Sequence, residues 1–200
     1  MRLYDTRAKA PVATYTDGAP LLAVVGAGVG GRAGDGSGLW VGGVEGSLRL
    51  WDARTGRCAL ALPRAHNGEA ITGLCRSPGG EAVASLGMDG ALRAWDARPF
   101  CASPSRLRRA YAGAANSFEQ APLKPAWSAC GTRLAAGSAA DRMVYIWDAD
   151  SGRVEYRLPG HTGAVNAVDF HPTQPIILSA GSDKAVFLGE IARVHGVHGV

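Results

Sequence analysis

The chain has 200 residues and a mass of 20.7 kDa, enough to bury a sizeable core in one domain or two small ones. It is 46% hydrophobic and 19% charged, which excludes an intrinsically disordered chain. The longest apolar run, Leu21 to Val25, falls far short of the ~20 residues that cross a bilayer. Residues Met1-Arg2-Leu3-Tyr4-Asp5-Thr6-Arg7 form no apolar signal region, so an intracellular protein without a membrane partner is expected.

Glycine accounts for 28 of the 200 residues, about twice the ~7% average, and glycine is costly inside helices. The composition therefore favours a turn-rich, all-β chain. Net charge is +4 with a pI near 9.1, carried by 18 arginines and 3 lysines. The charges are scattered. The densest run, Arg106-Leu107-Arg108-Arg109, reads as a solvated strand edge, with contact to phosphate or an acidic partner as the alternative. Cys58, Cys75, Cys101 and Cys130 form no Cys-x-x-Cys pair and read as free thiols; no metal, cofactor or small-molecule substrate is expected.

In chain order, Arg2-Leu3-Tyr4 reads as the third strand of a four-stranded unit and Val12 to Thr16 as its fourth. Leu21 to Val25 is an apolar strand that runs into Gly26-Ala27-Gly28-Val29-Gly30-Gly31, a literal G-x-G-x-x-G. A dinucleotide site would need a helix to follow, and Arg32-Ala33-Gly34-Asp35-Gly36-Ser37-Gly38 is too glycine-rich to propagate one. The stretch reads as a loop between two strands. Next come Trp51-Asp52, Trp95-Asp96 and Trp147-Asp148, with Tyr4-Asp5 as a variant. An acid stands six residues before each tryptophan, at Glu45, Asp89 and Asp141, and Asp183 precedes Gly189-Glu190 by the same interval. The anchors at 4, 51, 95, 147 and 189 are 47, 44, 52 and 42 residues apart, a period close to the ~40–45 residues of a propeller blade.

Within the period ending at Trp95, Ala70 to Cys75, Glu81 to Leu86 and Ala91 to Trp95 read as strands, with a fourth after Ala97. A turn at Ser77-Pro78-Gly79-Gly80 and the Asp89-Gly90 pair separate them. The next period repeats this with a turn at Cys130-Gly131. The last uses His171-Pro172-Thr173-Gln174-Pro175, and three strands between Ala164 and Ile191 complete the count. Residues 192–200, with His195 and His198, read as a frayed tail rather than a metal site.

These periods resemble WD repeats. The resemblance implies a hydrogen-bonded chain within each blade: a histidine before the first strand, a Ser or Thr in the second, the turn acid and the tryptophan. His66, Ser85, Asp89 and Trp95 match every position, and His161, Ser179 and Asp183 match all but the tryptophan. His, Ser and Asp are also the residue types of a hydrolase triad, but here the set recurs blade by blade and ends on a tryptophan. The period ending at Trp147 departs: Asn116 stands where histidine belongs and Gly137 where serine belongs, so its blade is expected to rely on packing alone.

From Trp95 onward the likeness narrows to the splicing branch of the family. It is carried by Trp95-Asp96-Ala97-Arg98-Pro99-Phe100, Asn116-Ser117-Phe118-Glu119, Asp141-Arg142-Met143-Val144-Tyr145-Ile146-Trp147-Asp148, and the segment from Tyr156 to Gly189-Glu190-Ile191. What this implies is a non-catalytic nuclear scaffold of the U5 small nuclear ribonucleoprotein, in the spliceosome, that binds the large U5 core protein and touches RNA weakly or indirectly. The alternative is a substrate receptor for a cullin-type ubiquitin ligase, read from the W-D-x-R endings at Trp51-Asp52-Ala53-Arg54 and Trp95-Asp96-Ala97-Arg98. The turn residues Met88, Arg142 and Lys184 are the candidate partner contacts. Residues 1–191 are expected to form four to five blades of a seven-bladed ring. On that count the chain is a fragment lacking about 120 upstream residues, which self-associates through unpaired strand edges.

Overall fold

The computed structural model describes residues 1–4, 7, 10–14, 18–27, 38–116 and 121–191. Among these residues seventeen strands follow one another, and each sheet is antiparallel with its strands in chain order. The first blade holds β1 (Arg2–Tyr4) and β2 (Pro11–Thr14). The second holds β3 (Leu21–Gly26), β4 (Gly38–Gly43), β5 (Leu48–Asp52) and β6 (Arg57–Leu62). The third holds β7 (Ile71–Arg76), β8 (Ala82–Gly87), β9 (Leu92–Asp96) and β10 (Leu107–Tyr111). The fourth holds β11 (Ala126–Trp127), β12 (Arg133–Gly137), β13 (Val144–Asp148) and β14 (Val154–Leu158). The fifth holds β15 (Val165–Phe170), β16 (Ile176–Gly181) and β17 (Val186–Glu190).

The sheets stand side by side as the blades of a propeller. First strands meet across the blade boundaries: β7 packs on β3 and β4, and β11 and β12 pack on β15. The backbone N–H of Lys124 donates to the carbonyl of Asn166 at 2.8 Å, tying the fourth blade to the fifth. Fourth strands β6, β10 and β14 lie on the opposite, outer side.

Strand side chains alternate between the two faces of a sheet, and here both faces are covered by neighbours. Consequently β8 and β12 are buried along their whole length. Val83 and Trp95 face the second blade and pack with Trp40, Leu48 and Ile71. Ala84, Leu86 and Leu92 face the fourth blade and pack with Leu134, Tyr145 and Trp147. Ala135, Val144 and Ile146 face the fifth blade and pack with Val165, Val168 and Ile177. The hydrophobic core is therefore a series of slabs between blades, and each buried Leu or Ile contributes about 1.5–3 kcal/mol.

The asymmetry of β17 fits this arrangement. It is the outermost strand of a three-stranded sheet and leaves Val186 and Leu188 largely exposed. The anticipated Tyr15-Thr16 end of the second strand, the loop carrying Gly28, Gly30 and Gly31, Ser117-Phe118-Glu119, and the tail with His195 and His198 lie outside the described residues. Around that loop, Ala27 N–H donates to the Gly38 carbonyl at 2.7 Å, so it joins adjacent antiparallel strands.

Where blades approach most closely, glycine is a steric requirement. A Cβ on Gly137 would lie 2.0 Å from the backbone oxygen of Val165, whereas one on Gly26 would meet nothing within 4 Å. Gly137→Ala is expected to destabilise the protein by about 1–3 kcal/mol or more, and Gly26→Ala to change stability by less than about 0.5 kcal/mol. Urea denaturation midpoints of the two variants provide the check.

Candidate functional site

The residues singled out by the repeat lie at one end of the blades, around the turns between second and third strands. In the third blade His66 is fully buried in the connection that precedes β7. Its Nδ1 lies 2.9 Å from Asp89 Oδ1 and its Nε2 lies 2.7 Å from Ser85 Oγ. The Trp95 indole N–H donates to the same Ser85 oxygen at 2.7 Å. An indole only donates and a carboxylate only accepts, which fixes every proton between them. Ser85 accepts from Trp95 and donates to Nε2, and Nδ1–H donates to Asp89.

The carboxylate is the hub of the turn. Asp89 Oδ1 also accepts the backbone N–H of Ala91 at 3.1 Å, and Oδ2 accepts Arg93 Nη1–H at 2.7 Å. Arg93 Nη1 stands 2.7 Å from His66 Nδ1 as well, but both groups carry hydrogens toward Asp89, so that approach is not a hydrogen bond. Burial alone would raise the Asp89 pKa; the hydrogen bonds from His66, Arg93 and the Ala91 N–H more than offset it and hold the carboxyl down at about 2. Gly90 supplies the turn with φ of 72°. Gly87 makes room for the ring, since a Cβ there would lie 2.3 Å from His66 Nδ1.

The fifth blade repeats the arrangement without its tryptophan. His161 Nδ1–H donates to Asp183 at 3.0 Å, and Ser179 Oγ lies 2.9 Å from His161 Nε2. Backbone N–H groups of Thr162 and Ala185 also donate to Asp183, and these hydrogen bonds, with His161, hold its carboxyl at about 2. Phe187 packs edge-on against His161 with ring centroids 4.6 Å apart.

The fourth blade corrects the sequence reading twice. Leu134 pairs with Trp147 as Val83 pairs with Trp95, so Ala136, and not Gly137, occupies the position of Ser85. The shift arises because the turn from Ser138 to Met143 is one residue longer than the turn from Gly87 to Ala91. Nor does the blade rely on packing alone. The Trp147 indole N–H donates to the Ala112 carbonyl at 2.8 Å, and the Tyr145 hydroxyl donates to Asp141. Ser138, standing where Gly87 faces His66, accepts from Ala115 N–H at 3.2 Å and donates to its carbonyl at 3.1 Å. Asn116 donates to the Ala121 carbonyl at 3.2 Å and does not meet Asp141 in the way His66 meets Asp89.

Two regularities went unread in the sequence. Four residues after the turn acid stands a side chain that binds it in three blades, Arg49 after Glu45, Arg93 after Asp89 and Tyr145 after Asp141, whereas Phe187, four after Asp183, packs on His161 instead. The aspartate that follows each tryptophan caps the next turn. Asp52 accepts the N–H of Arg54, Asp96 that of Arg98, and Asp148 that of Ser151. In the W-D-x-R ending at Trp95, the Arg98 guanidinium is also bound by Asp96.

His66, Ser85 and Asp89 have the spacing of a hydrolase triad, but the setting is different. Ser85 and His66 are both fully buried, and the serine oxygen already accepts the indole N–H. Among the described residues no three His, Cys, Asp or Glu side chains are grouped to hold a metal ion. Around the braced turns, Arg142 and Lys184 are exposed and Met88 is half-buried. Arg142 and Lys184 take the left-handed conformation, with φ of 63° and 65°, at the turn position that is Gly46 and Gly90 in the second and third blades.

Comparison with known proteins follows the same outline. A crystal structure of the β-propeller domain of Cps50 (Swd1) from Myceliophteria thermophila superposes with a TM-score of 0.67 at 19% identity, covering 86% of this chain and 54% of that one; it shows the fold. The pre-mRNA-splicing factor cwf17 of Schizosaccharomyces pombe is 39% identical over 96% of this chain and 53% of its own length. The U5 small nuclear ribonucleoprotein 40 kDa protein of Mus musculus is 40% identical over 96% of this chain and 51% of its own length. The chain thus spans about half the length of the curated relatives it matches. The family described as "WD domain, G-beta repeat" matches residues 56–96, 123–148 and 152–188, just over half of the chain. The protein belongs to the WD-repeat family.

Proposed function

We propose that this protein is a non-catalytic scaffold of the U5 small nuclear ribonucleoprotein that acts in pre-mRNA splicing in the nucleus. The observation that carries the reading is the 39–40% identity, over 96% of this chain, to relatives whose names place them in splicing. Its chemistry agrees: the histidine–serine–aspartate sets are sealed inside blades, and repeat surfaces serve as rigid binding platforms. The partner is a protein, in this reading the large U5 core protein, with RNA contact weak or indirect. The ligase reading has less behind it, because Arg98 of the W-D-x-R ending is held by its own Asp96.

In this account His66, Ser85, Asp89 and Trp95, and likewise His161, Ser179 and Asp183, are braces that hold the turns still. Met88, Arg142 and Lys184 on those turns meet the partner. Arg142 and Lys184 support that role: a non-glycine residue in the left-handed region costs about 1–2 kcal/mol, and glycine fills the same place in two other blades.

His66→Ala strands a buried hydroxyl and a carboxylate at about 1–3 kcal/mol each. It should lower the melting temperature clearly more than Asn116→Ala, and equal shifts would refute the brace. A pH dependence follows from Asp89. Its folded pKa lies below its unfolded value of about 4, so its charged form stabilises the fold fully above pH ~4 and that contribution fades as pH falls toward ~2. The stability gap between the wild type and Asp89→Asn, about 2 kcal/mol from this term at neutral pH, should shrink across that window in acid titrations of stability. For the assembly itself, the tagged protein purified from nuclear extract should bring down U5 components. Recovery of cullin adaptors without splicing proteins would reverse the assignment.

A further inference from the structure

The outer edge of the third blade carries a feature that neither the braces nor the turns explain. Phe100 is 94% exposed, in the connection between β9 and β10. The loop that presents it is closed by its own arginine: Arg106 Nη1 donates to the Arg98 carbonyl at 2.5 Å and the Asp96 carbonyl at 3.3 Å, and Nη2 donates to the Pro99 carbonyl at 3.0 Å. Asp96 N–H donates in turn to the Arg106 carbonyl at 2.7 Å, and Arg106 sits at φ of 55° to make these contacts. The backbone beneath Phe100 is therefore ordered before anything binds it. A phenylalanine on an ordered loop adds nothing to folding, yet it has about 1.5–3 kcal/mol to gain from burial elsewhere.

The same loop leads into β10, where the ladder to β9 slips by one residue at Arg108. Slips at the same place fall on Ala59 in the second blade and Glu155 in the fourth. In the fourth blade Arg133 donates to Glu155 at 2.6 Å. In the third blade the residue aligned with Arg133 is Ala82, and Arg108 makes no hydrogen bond or ion pair among the described residues. Arg108 and Arg109 line a cleft of about 210 Å³ against the fourth blade, floored by Tyr111 and Trp127. Arg109 Nη1 donates to the Ser151 carbonyl at 2.9 Å, and Asp150 is the one acid on the cleft wall.

An ordered, exposed phenylalanine on the loop that leads into Arg108, a cation without an ion pair among the described residues, is half of an interface. We propose that this edge docks a protein whose surface offers an apolar pocket for Phe100 and an aspartate or glutamate side chain that faces Arg108. It is a second surface, separate from the turns at Met88, Arg142 and Lys184, and holds whichever assembly the protein joins. Buried aromatics with arginine neighbours are what anchors most protein interfaces, and the rim charges set the partner.

The test places p-benzoylphenylalanine at position 100, or at exposed Thr55 in the β5–β6 turn of the second blade as control, in the full chain expressed in cells, with adducts mapped by mass spectrometry. The expected result is an adduct from position 100 to an apolar residue flanked by Asp or Glu. Arg108→Glu should reduce it about tenfold or more while leaving the melting temperature unchanged. An adduct to a protein outside the U5 particle would keep this inference and count against the assembly reading. A yield at position 100 no higher than at position 55, a yield indifferent to the charge reversal, or adducts to RNA would overturn it.

Discussion

A buried imidazole with both nitrogens engaged is the constraint on which the third blade of this protein turns, and the fifth repeats it. His66 cannot be removed from water unless Nδ1–H and the Nε2 lone pair both find partners, because an unmet polar group in the interior costs several kcal/mol. Asp89 and Ser85 meet them, at 2.9 and 2.7 Å, and Trp95 then gives its own indole N–H to the serine. The chain of bonds ties the loop of His66 to two strands and a turn that the backbone ladder already joins to one another. A single donor-only group at one end and a single acceptor-only group at the other leave it one arrangement of protons, so it specifies one position of the turn.

The other blades show how the constraint relaxes when one member is lost. In the fifth blade the tryptophan is Gly189, and Phe187 takes over the covering of the histidine from the slot that Arg93 fills in the third. In the fourth the histidine is gone, the space beside the turn is filled by the Ser138 hydroxyl, and Asp141 turns to Tyr145. The acid persists through all of these exchanges. Its value lies in satisfying turn N–H groups and, where one stands four residues on, a side-chain donor, and not in the histidine alone.

Most of the fold was legible in the sequence because its signals are local. Trp-Asp pairs, an acid six residues earlier, Asp-Gly and Pro-Gly turns and alternating strands mark the blades and their strands, and these survive even where one member has changed. The complete tetrad was legible for the same reason. What failed was register across a one-residue insertion: between Ser138 and Met143 the extra residue displaced the alignment, so Gly137 was read for Ala136. The glycine two residues before the acid, Gly43, Gly87 and Gly181, gave no help, because Ser138 takes that slot in the fourth blade. The substitute bonds of Trp147 were not legible at all. They run to backbone carbonyls, which every residue carries and no sequence distinguishes.

The functional account rests on rigidity: turns braced from within present Met88, Arg142 and Lys184 as fixed points, and a self-closed loop presents Phe100 on another edge. If the turns were not fixed, neither surface would be preformed. The most direct test of the brace is nitrogen-15 NMR of His66 at mildly alkaline pH, combined with hydrogen exchange at the Trp95 indole. The account predicts an imidazole protonated on Nδ1 alone, and an indole proton that exchanges slowly and loses its protection in Ser85→Ala. An imidazole protonated on Nε2, or a Trp95 indole that exchanges as fast as free tryptophan, would contradict it.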